Sequence, residues 1–335
     1  MMLQLRSFAP ALSGALLSLS LTAAIGATLE ENFASDPAAR GWERFGDPAA
    51  FHWNAADQAL GVTWDSSKPN SFFLRPLGTV LTRGDDFSLS FDLRLSDFLA
   101  GVDPQKVSTF SVSVGLVNRA AATNANFLRG TGFDSPDLVE FSFFPDPGGA
   151  WQWGPSLTAV LIDSTGAHWG EGGFAPLALT SNDWYSITMT YTSSNSTLRT
   201  VMASNGVPFG AMSDTKLGAS FLDFRVDHFA VCSYSDAGQF PGFEGSILAH
   251  GTVDNVVVIT PPPPVQALTG ALTNQQWRAQ FTSQTNWLYT LERTTNLQAW
   301  AAISTEVAGT GTTQVFADTN VPAANAFYRV NARRP

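Results

Sequence analysis

Apolar and polar residues alternate with a period of two along several stretches of the chain. In the clearest stretch, Phe87, Leu89, Phe91, Leu93 and Leu95 alternate with polar residues, as in a strand with one buried face. The same pattern predicts strands at 110–116, 139–143, 185–191 and 222–226, and an apolar run predicts another at 253–259. Residues 118–128 hold at most a short helix. Clusters of Gly, Pro, Asn and Asp separate these runs, so we predict an all-β, antiparallel two-sheet jelly-roll sandwich.

Four consecutive prolines at 261–264 mark a boundary, because such a run forms a stiff extended spacer. Short apolar runs follow at 277–281, 287–293, 300–303, 313–316 and 327–330. They predict a small immunoglobulin-like or fibronectin-III-like β-sandwich. The expected organisation is therefore a domain at 27–260, a linker at 261–264 and a second domain at 265–335.

Residues 1–26 have the features of a secretory signal peptide. Arg6 is their only charge, residues 11–24 are mostly apolar, and small residues surround Gly26. The apolar run is short for a membrane span. We therefore predict a secreted or cell-surface bacterial protein with no membrane span after cleavage, and an uncleaved anchor or a buried helix is the alternative.

Charge is unevenly distributed along the 335 residues, whose formal net charge is −10. Residues 27–260 carry −13 and residues 265–335 carry +2, and lysine occurs only at Lys68, Lys106 and Lys216. This balance argues against nucleic acid or another polyanion as a bulk partner and favours neutral glycans. A single cysteine, Cys232, excludes internal disulfides and zinc sites with two cysteine ligands, and its apolar neighbours predict a buried, inert thiol.

Residues 60–78 and 85–95 resemble a module found in exported proteins of environmental bacteria. Residues 251–258 are similar to the last strand of concanavalin A-like (laminin-G-like) jelly rolls. Residues 287–300 and 327–330 resemble a short terminal module attached to many such proteins. The resemblance implies a concanavalin A-like jelly roll with a fibronectin-III-like module. That superfamily includes lectins, adhesion modules, glycoside hydrolases and polysaccharide lyases, so the fold leaves the activity open.

Aromatic residues in glycine-flanked loops are the leading binding candidates. Trp151 and Trp153 fall on one side of an extended segment, and His168 and Trp169 lie in a second loop. Planar rings beside small residues can stack on the apolar face of a pyranose. The alternative is that these rings fill the open end of the sandwich or a small satellite core beneath a loop.

Polar positions on two predicted strands form a second candidate. If Asp92 and Arg94 face the same groove as Glu140 and Ser142, Arg94 could hold a carboxylate, either a neighbouring one or that of a uronic acid. Ordinary cross-strand ion pairing is the alternative.

Acidic residues near Glu140 raise the question of a glycosidase. Laminarinase-like members of the superfamily place Glu-x-Asp-x-x-Glu on one strand, and Asp134, Asp137 and Glu140 do not reproduce that spacing. The four histidines also stand outside the Gln-x-His strand motif of alginate lyases. Asp137 is expected to lie in a turn and Glu140 to be a solvated or paired residue.

Asp254 and Asn255 precede the last apolar strand and are the candidate metal ligands, since calcium prefers several oxygen ligands. Many of the jelly rolls that the sequence resembles carry a structural calcium at one edge. Turn formation by these two side chains is the alternative. No other cofactor is expected.

Together these patterns predict an exported, non-catalytic protein that binds carbohydrate or another cell-surface polymer. A polysaccharide-active hydrolase or lyase on the same fold is the first alternative. A structural adhesin or coat component is the second, and the oligomeric state is left open.

Overall fold

A computed structural model describes residues 26–129, 135–145, 154–170, 172–240, 242, 244–322 and 326–335. The predicted signal peptide lies outside this part of the chain, apart from Gly26, and stays a prediction. The described residues contain no helix long and apolar enough to cross a membrane.

The described part of residues 27–260 forms fifteen strands. They are β1 Ala27–Glu31, β2 Glu43–Phe45, β3 Phe51–Asn54, β4 Ala59–Asp65, β5 Ser71–Leu81, β6 Phe87–Ala100, β7 Val112–Val117, β8 Leu138–Phe144, β9 Ser156–Ile162, β10 Trp184–Thr192, β11 Thr197–Ser204, β12 Val207–Pro208, β13 Thr215–Lys216, β14 Val226–Ser233 and β15 Ile247–Thr260. Short helical segments are α1 Arg119–Ala122 and 3-10 turns at Pro37–Arg40, Pro48–Ala50 and Ser193–Asn195.

Two sheets pack face to face in this domain. The nine-stranded sheet has the order β12-β11-β10-β6-β15-β4-β3, with β1 paired to β15 and β13 paired to β11. The six-stranded sheet has the order β2-β5-β14-β7-β8-β9. The strand pairings of both sheets are antiparallel. The predicted all-β, antiparallel two-sheet sandwich is therefore confirmed.

The hydrophobic core lies between the sheets and follows the alternation of β6. Phe87, Leu89, Phe91, Leu93 and Leu95 are all buried, while the polar residues between them are partly exposed. Phe91 meets Phe141 of β8 edge to face, with ring centroids 5.9 Å apart, so the inward faces of the two sheets contact each other. The outward faces of the two sheets consequently point in opposite directions.

The strand predicted at 222–226 is wrong except at its last residue, because β14 begins at Val226. The Asp223 carboxylate accepts hydrogen bonds from the backbone N–H groups of Arg83 (2.8 Å) and Phe224 (2.9 Å). This bonding holds the segment in an irregular conformation outside the sheet. Leu222, predicted to face the core, is 63% exposed.

The C-terminal residues form two further antiparallel sheets around a separate core. The strands are β16 Val265–Thr273, β17 Gln276–Ser283, β18 Leu288–Thr294, β19 Ala301–Ala302, β20 Val307–Ala308, β21 Thr313–Asp318 and β22 Phe327–Arg333. One sheet is β16-β17-β21, and in the other β18 pairs with β19, β20 and β22. Trp277 stacks on Tyr328 with centroids 3.9 Å apart. These residues therefore form β-sheets with a core of their own, and their status as a fibronectin-III-like domain stays a prediction.

Candidate functional site

A tight loop after β9 is organised by one buried carboxylate. Asp163 accepts hydrogen bonds from the Thr165 N–H (3.0 Å), the Thr165 hydroxyl (2.6 Å) and the Nδ1 of His168 (2.8 Å). Burial alone would raise the pKa of Asp163, but these bonds and one from the Leu222 N–H outweigh it and lower the pKa to about 2. The carboxylate is therefore ionised and holds His168 in place.

The exposed indole of Trp169 is carried by this loop. The backbone of Trp169 bridges to Ile162 at the edge of the six-stranded sheet, and that of Ala175 bridges to Leu157. The segment thus runs along β9 and presents Trp169 and Phe174, which are 57% and 53% exposed. We call Trp169, His168 and Phe174 the edge platform. Trp169 does not fill the end of the sandwich or a satellite core, which was the alternative for this residue.

Trp151 and Trp153, the other predicted stacking residues, lie outside the described residues. Their role in binding stays a prediction. Gly154, which follows them, is described and leads directly into β9.

Glu140 lies on the outward face of β8 but is only 1% exposed. Its Oε1 accepts hydrogen bonds from Arg129 (2.9 Å) and Ser142 (2.6 Å), and its Oε2 accepts one from the Tyr234 hydroxyl. Burial raises the pKa of Tyr234 well above its ordinary value, and the neighbouring Cys232 and Glu140 raise it further, so the phenol stays a proton donor. Glu140 is thus a paired residue, as expected, but a buried and not a solvated one.

Asp137 immediately precedes β8 with a positive φ of 63°. Its carboxylate accepts hydrogen bonds from the Ser164 hydroxyl (2.5 Å) and the Arg225 N–H (2.7 Å). Burial raises the pKa of Asp137 despite these bonds. This is the predicted turn position, and Asp134 lies outside the described residues.

Asp92 and Arg94 do not share a groove with Glu140 and Ser142. Both lie on the outward face of β6 in the nine-stranded sheet, whereas Glu140 and Ser142 lie on the outward face of the six-stranded sheet. The grouping of these four residues around one groove is corrected for this reason. The Arg94 guanidinium carbon instead lies 4.8 Å from the centre of the Trp184 ring.

A polar cleft of about 250 Å³ occupies the outward face of the nine-stranded sheet. We call it the histidine cleft. Its polar lining is contributed by β3, β4, β6, β15 and the turn between β3 and β4, and consists of His52, Asn54, Asp57, Thr63, Arg94, Ser96, His250 and Thr252. Sequence reasoning missed this cleft, because His52 and His250 belong to strands that become neighbours only through β4.

Asp254 and Asn255 lie at a bulge in β15. The Asp254 carboxylate accepts the Asn255 N–H at 2.7 Å, and the Asn255 amide donates to Asp92 at 2.8 Å. Burial, opposed by the bond from Asn255 and reinforced by the charge of Asp92, raises the pKa of Asp254. The described residues hold no group of three or more His, Cys, Asp or Glu placed to bind a metal, so calcium binding here stays a prediction.

Comparisons with protein-family models and with curated protein sequences found no match. Solved structures similar to this chain include lectin UEA-II complexed with galactose, at 13% identity and a TM-score of 0.46, covering 71% of this chain and 99% of that one. Peanut lectin with a nine-residue peptide matches at 14% identity and a TM-score of 0.41, covering 69% of this chain and 98% of that one. An alginate lyase mutant with an alginate trisaccharide matches at 14% identity and a TM-score of 0.42, covering 71% of this chain and 99% of that one. Likenesses this weak carry no argument about this chain.

Proposed function

We propose that the protein binds carbohydrate at the edge platform without transforming it, and that it does so outside the cytoplasm. The observation that carries this proposal is the exposed indole of Trp169 on a loop fixed to β9 through backbone bonds. An exposed aromatic ring on a rigid loop offers a large stacking surface that needs little ordering when a ligand binds.

His168, next to Trp169 in the sequence, adds a polar group to the same loop. Because its Nδ1 faces Asp163, Nε2 is the ring nitrogen that can hydrogen-bond a sugar hydroxyl. A stacking ring next to a fixed polar atom suits a pyranose, which has an apolar face and a hydroxyl-bearing rim. The acidic balance of residues 27–260 favours neutral glycans over anionic ones.

The surroundings of Glu140 favour binding over hydrolysis at that residue. Glycoside hydrolysis by two carboxyl groups needs both of them to reach the substrate. Glu140 is buried, and its oxygens are occupied by Arg129, Ser142 and Tyr234. These contacts support a structural ion pair.

Affinity electrophoresis of the full chain through gels containing neutral polysaccharides tests the proposal. We expect Trp169→Ala to weaken retention at least about fivefold and Trp169→Tyr to keep most of it, since losing a stacking ring costs over about 1 kcal/mol. Phe327→Ala, which removes an exposed ring of the C-terminal domain, serves as the control and should retain full binding.

Unchanged retention of the Trp169→Ala protein would overturn the proposed site. Loss of binding in Phe327→Ala instead would assign recognition to the C-terminal domain. Absence of retention for the unaltered protein across the panel would favour the structural adhesin or coat alternative, and release of reducing ends or unsaturated products would favour an enzyme.

A further inference from the structure

A row of side chains crosses five strands on the outward face of the nine-stranded sheet. In register order it runs His52 of β3, Gly61 of β4, Thr252 of β15, Arg94 of β6 and Trp184 of β10. The His52 ring lies over Gly61, and a depression remains between this ring and Arg94. This depression is part of the histidine cleft.

Gly61 is required by the position of the His52 ring. A Cβ atom at Gly61 would lie 2.1 Å from Cε1 of His52, so the imidazole rests directly on the glycine backbone. The ring therefore forms one wall of the cleft and the backbone its floor.

The opposite wall holds an unsatisfied donor. Within the described residues, the Nε of Arg94 is buried and has no hydrogen-bond partner, although most buried polar atoms have one. The guanidinium lies beside the Trp184 ring, which orients it without using its hydrogen atoms. Arg94 also lines the cleft, so an acceptor oxygen of a bound ligand would lie next to this guanidinium.

The rim of the cleft carries both hydrogen-bond donors and acceptors. His250 directs Nδ1 to Asp97 at 2.8 Å, so its Nε2 is an acceptor when the ring is neutral. Asp57 also accepts, from the Asn54 amide at 2.7 Å. Arg94 donates only, and Thr252 does both.

We propose that the histidine cleft is a second saccharide site that holds one neutral sugar unit. Sugar hydroxyls both donate and accept, which matches this mixed rim, while Asp57 and Asp97 disfavour an anionic ligand beside them. The volume is below that of pockets for drug-sized ligands, which suits a single ring. The inference shares the ligand class of the proposed function but rests on different residues of the other sheet.

NMR of the histidine Cε1–H resonances tests the site directly. Glucose, galactose, mannose and xylose are titrated into the full chain, with glucuronate as the anionic probe. We expect at least one neutral sugar to shift the resonances of His52 and His250 but not that of His228, and a shift of His168 reports binding at the edge platform. Arg94→Gln and Gly61→Ala should each lower the apparent affinity for the sugar, measured from these shifts, at least tenfold. His228→Gln, at a distant site, should leave this affinity unchanged.

Shifts that persist in both Arg94→Gln and Gly61→Ala, or no shift with any neutral sugar, would overturn the inference. A response to glucuronate alone would overturn it in favour of an anion site. Trp169→Ala separates the two proposals: the His52 response should survive it, and loss of the response would leave one site in place of two. If polysaccharide retention is independent of Trp169 while the His52 response remains, the edge platform fails and the cleft stands.

Discussion

The guanidinium of Arg334 donates to the carboxylate of Asp85, across the junction between the C-terminal domain and the large domain. Both side chains are largely buried. Arg334 also donates to the carbonyl of Val80, 3.0 Å from its Nη2, and its guanidinium carbon lies 4.2 Å from the Trp287 ring centre. The junction is therefore a specific contact and not only the covalent linker.

We expect Arg334→Ala to uncouple the two domains, since removing one partner of a buried ion pair costs about 3–5 kcal/mol. Calorimetry should show separate transitions in place of a shared one, and small-angle scattering a larger radius of gyration. Arg333→Ala is the matched control, because Arg333 forms an exposed pair with Glu306 worth at most about 1 kcal/mol. Identical behaviour of the two variants would contradict the role of Arg334.

The stabilisation that Asp163 gives to the loop carrying Trp169 should decrease in acid. Because the pKa of Asp163 falls from an ordinary 3.8 to about 2 on folding, its carboxylate adds about 2 kcal/mol of stability at neutral pH. That stability is complete above the ordinary pKa and is lost as the pH falls towards 2. The difference in unfolding free energy between the natural chain and Asp163→Asn should therefore shrink from pH 6 to pH 2. A difference that does not change with pH would argue against this assignment.

Glu140→Gln should destabilise the large domain by about 3–5 kcal/mol, because it removes the carboxylate partner from a buried ion pair. Urea denaturation measures this change. Ser142→Ala removes one hydrogen bond to the same carboxylate and should cost about 1 kcal/mol. Full stability of Glu140→Gln together with lost polysaccharide turnover would identify Glu140 as functional.

The thiol of Cys232 should react with Ellman's reagent only when the domain unfolds. It is fully buried, and burial raises the pKa of the thiol well above its ordinary value, with the charge of Glu140 adding to this effect. The labelling rate should follow the denaturant dependence of global unfolding. Rapid labelling under native conditions would show local opening around Tyr234.

Alternation along β6 was sufficient to predict the strand and its buried face, because period-two burial is a local property of the sequence. It could not show that Arg94 and Glu140 face opposite ways. Each sheet directs its polar side away from the shared core, and the sequence does not say which sheet a strand joins. His52 and His250 illustrate the same limit, because their proximity depends on β4 lying between β3 and β15.

Loop composition was informative about Trp169 for a different reason. Glycines on both sides of the ring leave little local apolar surface to bury it, and it is exposed. The Asp163 contacts that fix the loop involve Leu222, which is distant in the sequence. They could not be derived from the motif, nor could the burial of Glu140 beneath Arg129.

The position of β15 constrains how the large domain can assemble. This strand lies between β6 and β4 and pairs along its last residues with β1, so that Ala27 is opposite Thr260. The centre of the nine-stranded sheet is thus completed by the last segment of the domain to be synthesised. Contacts of such long sequence separation slow folding. We expect the nine-stranded sheet of the nascent chain to stay incomplete until the proline segment has followed β15 out of the ribosome.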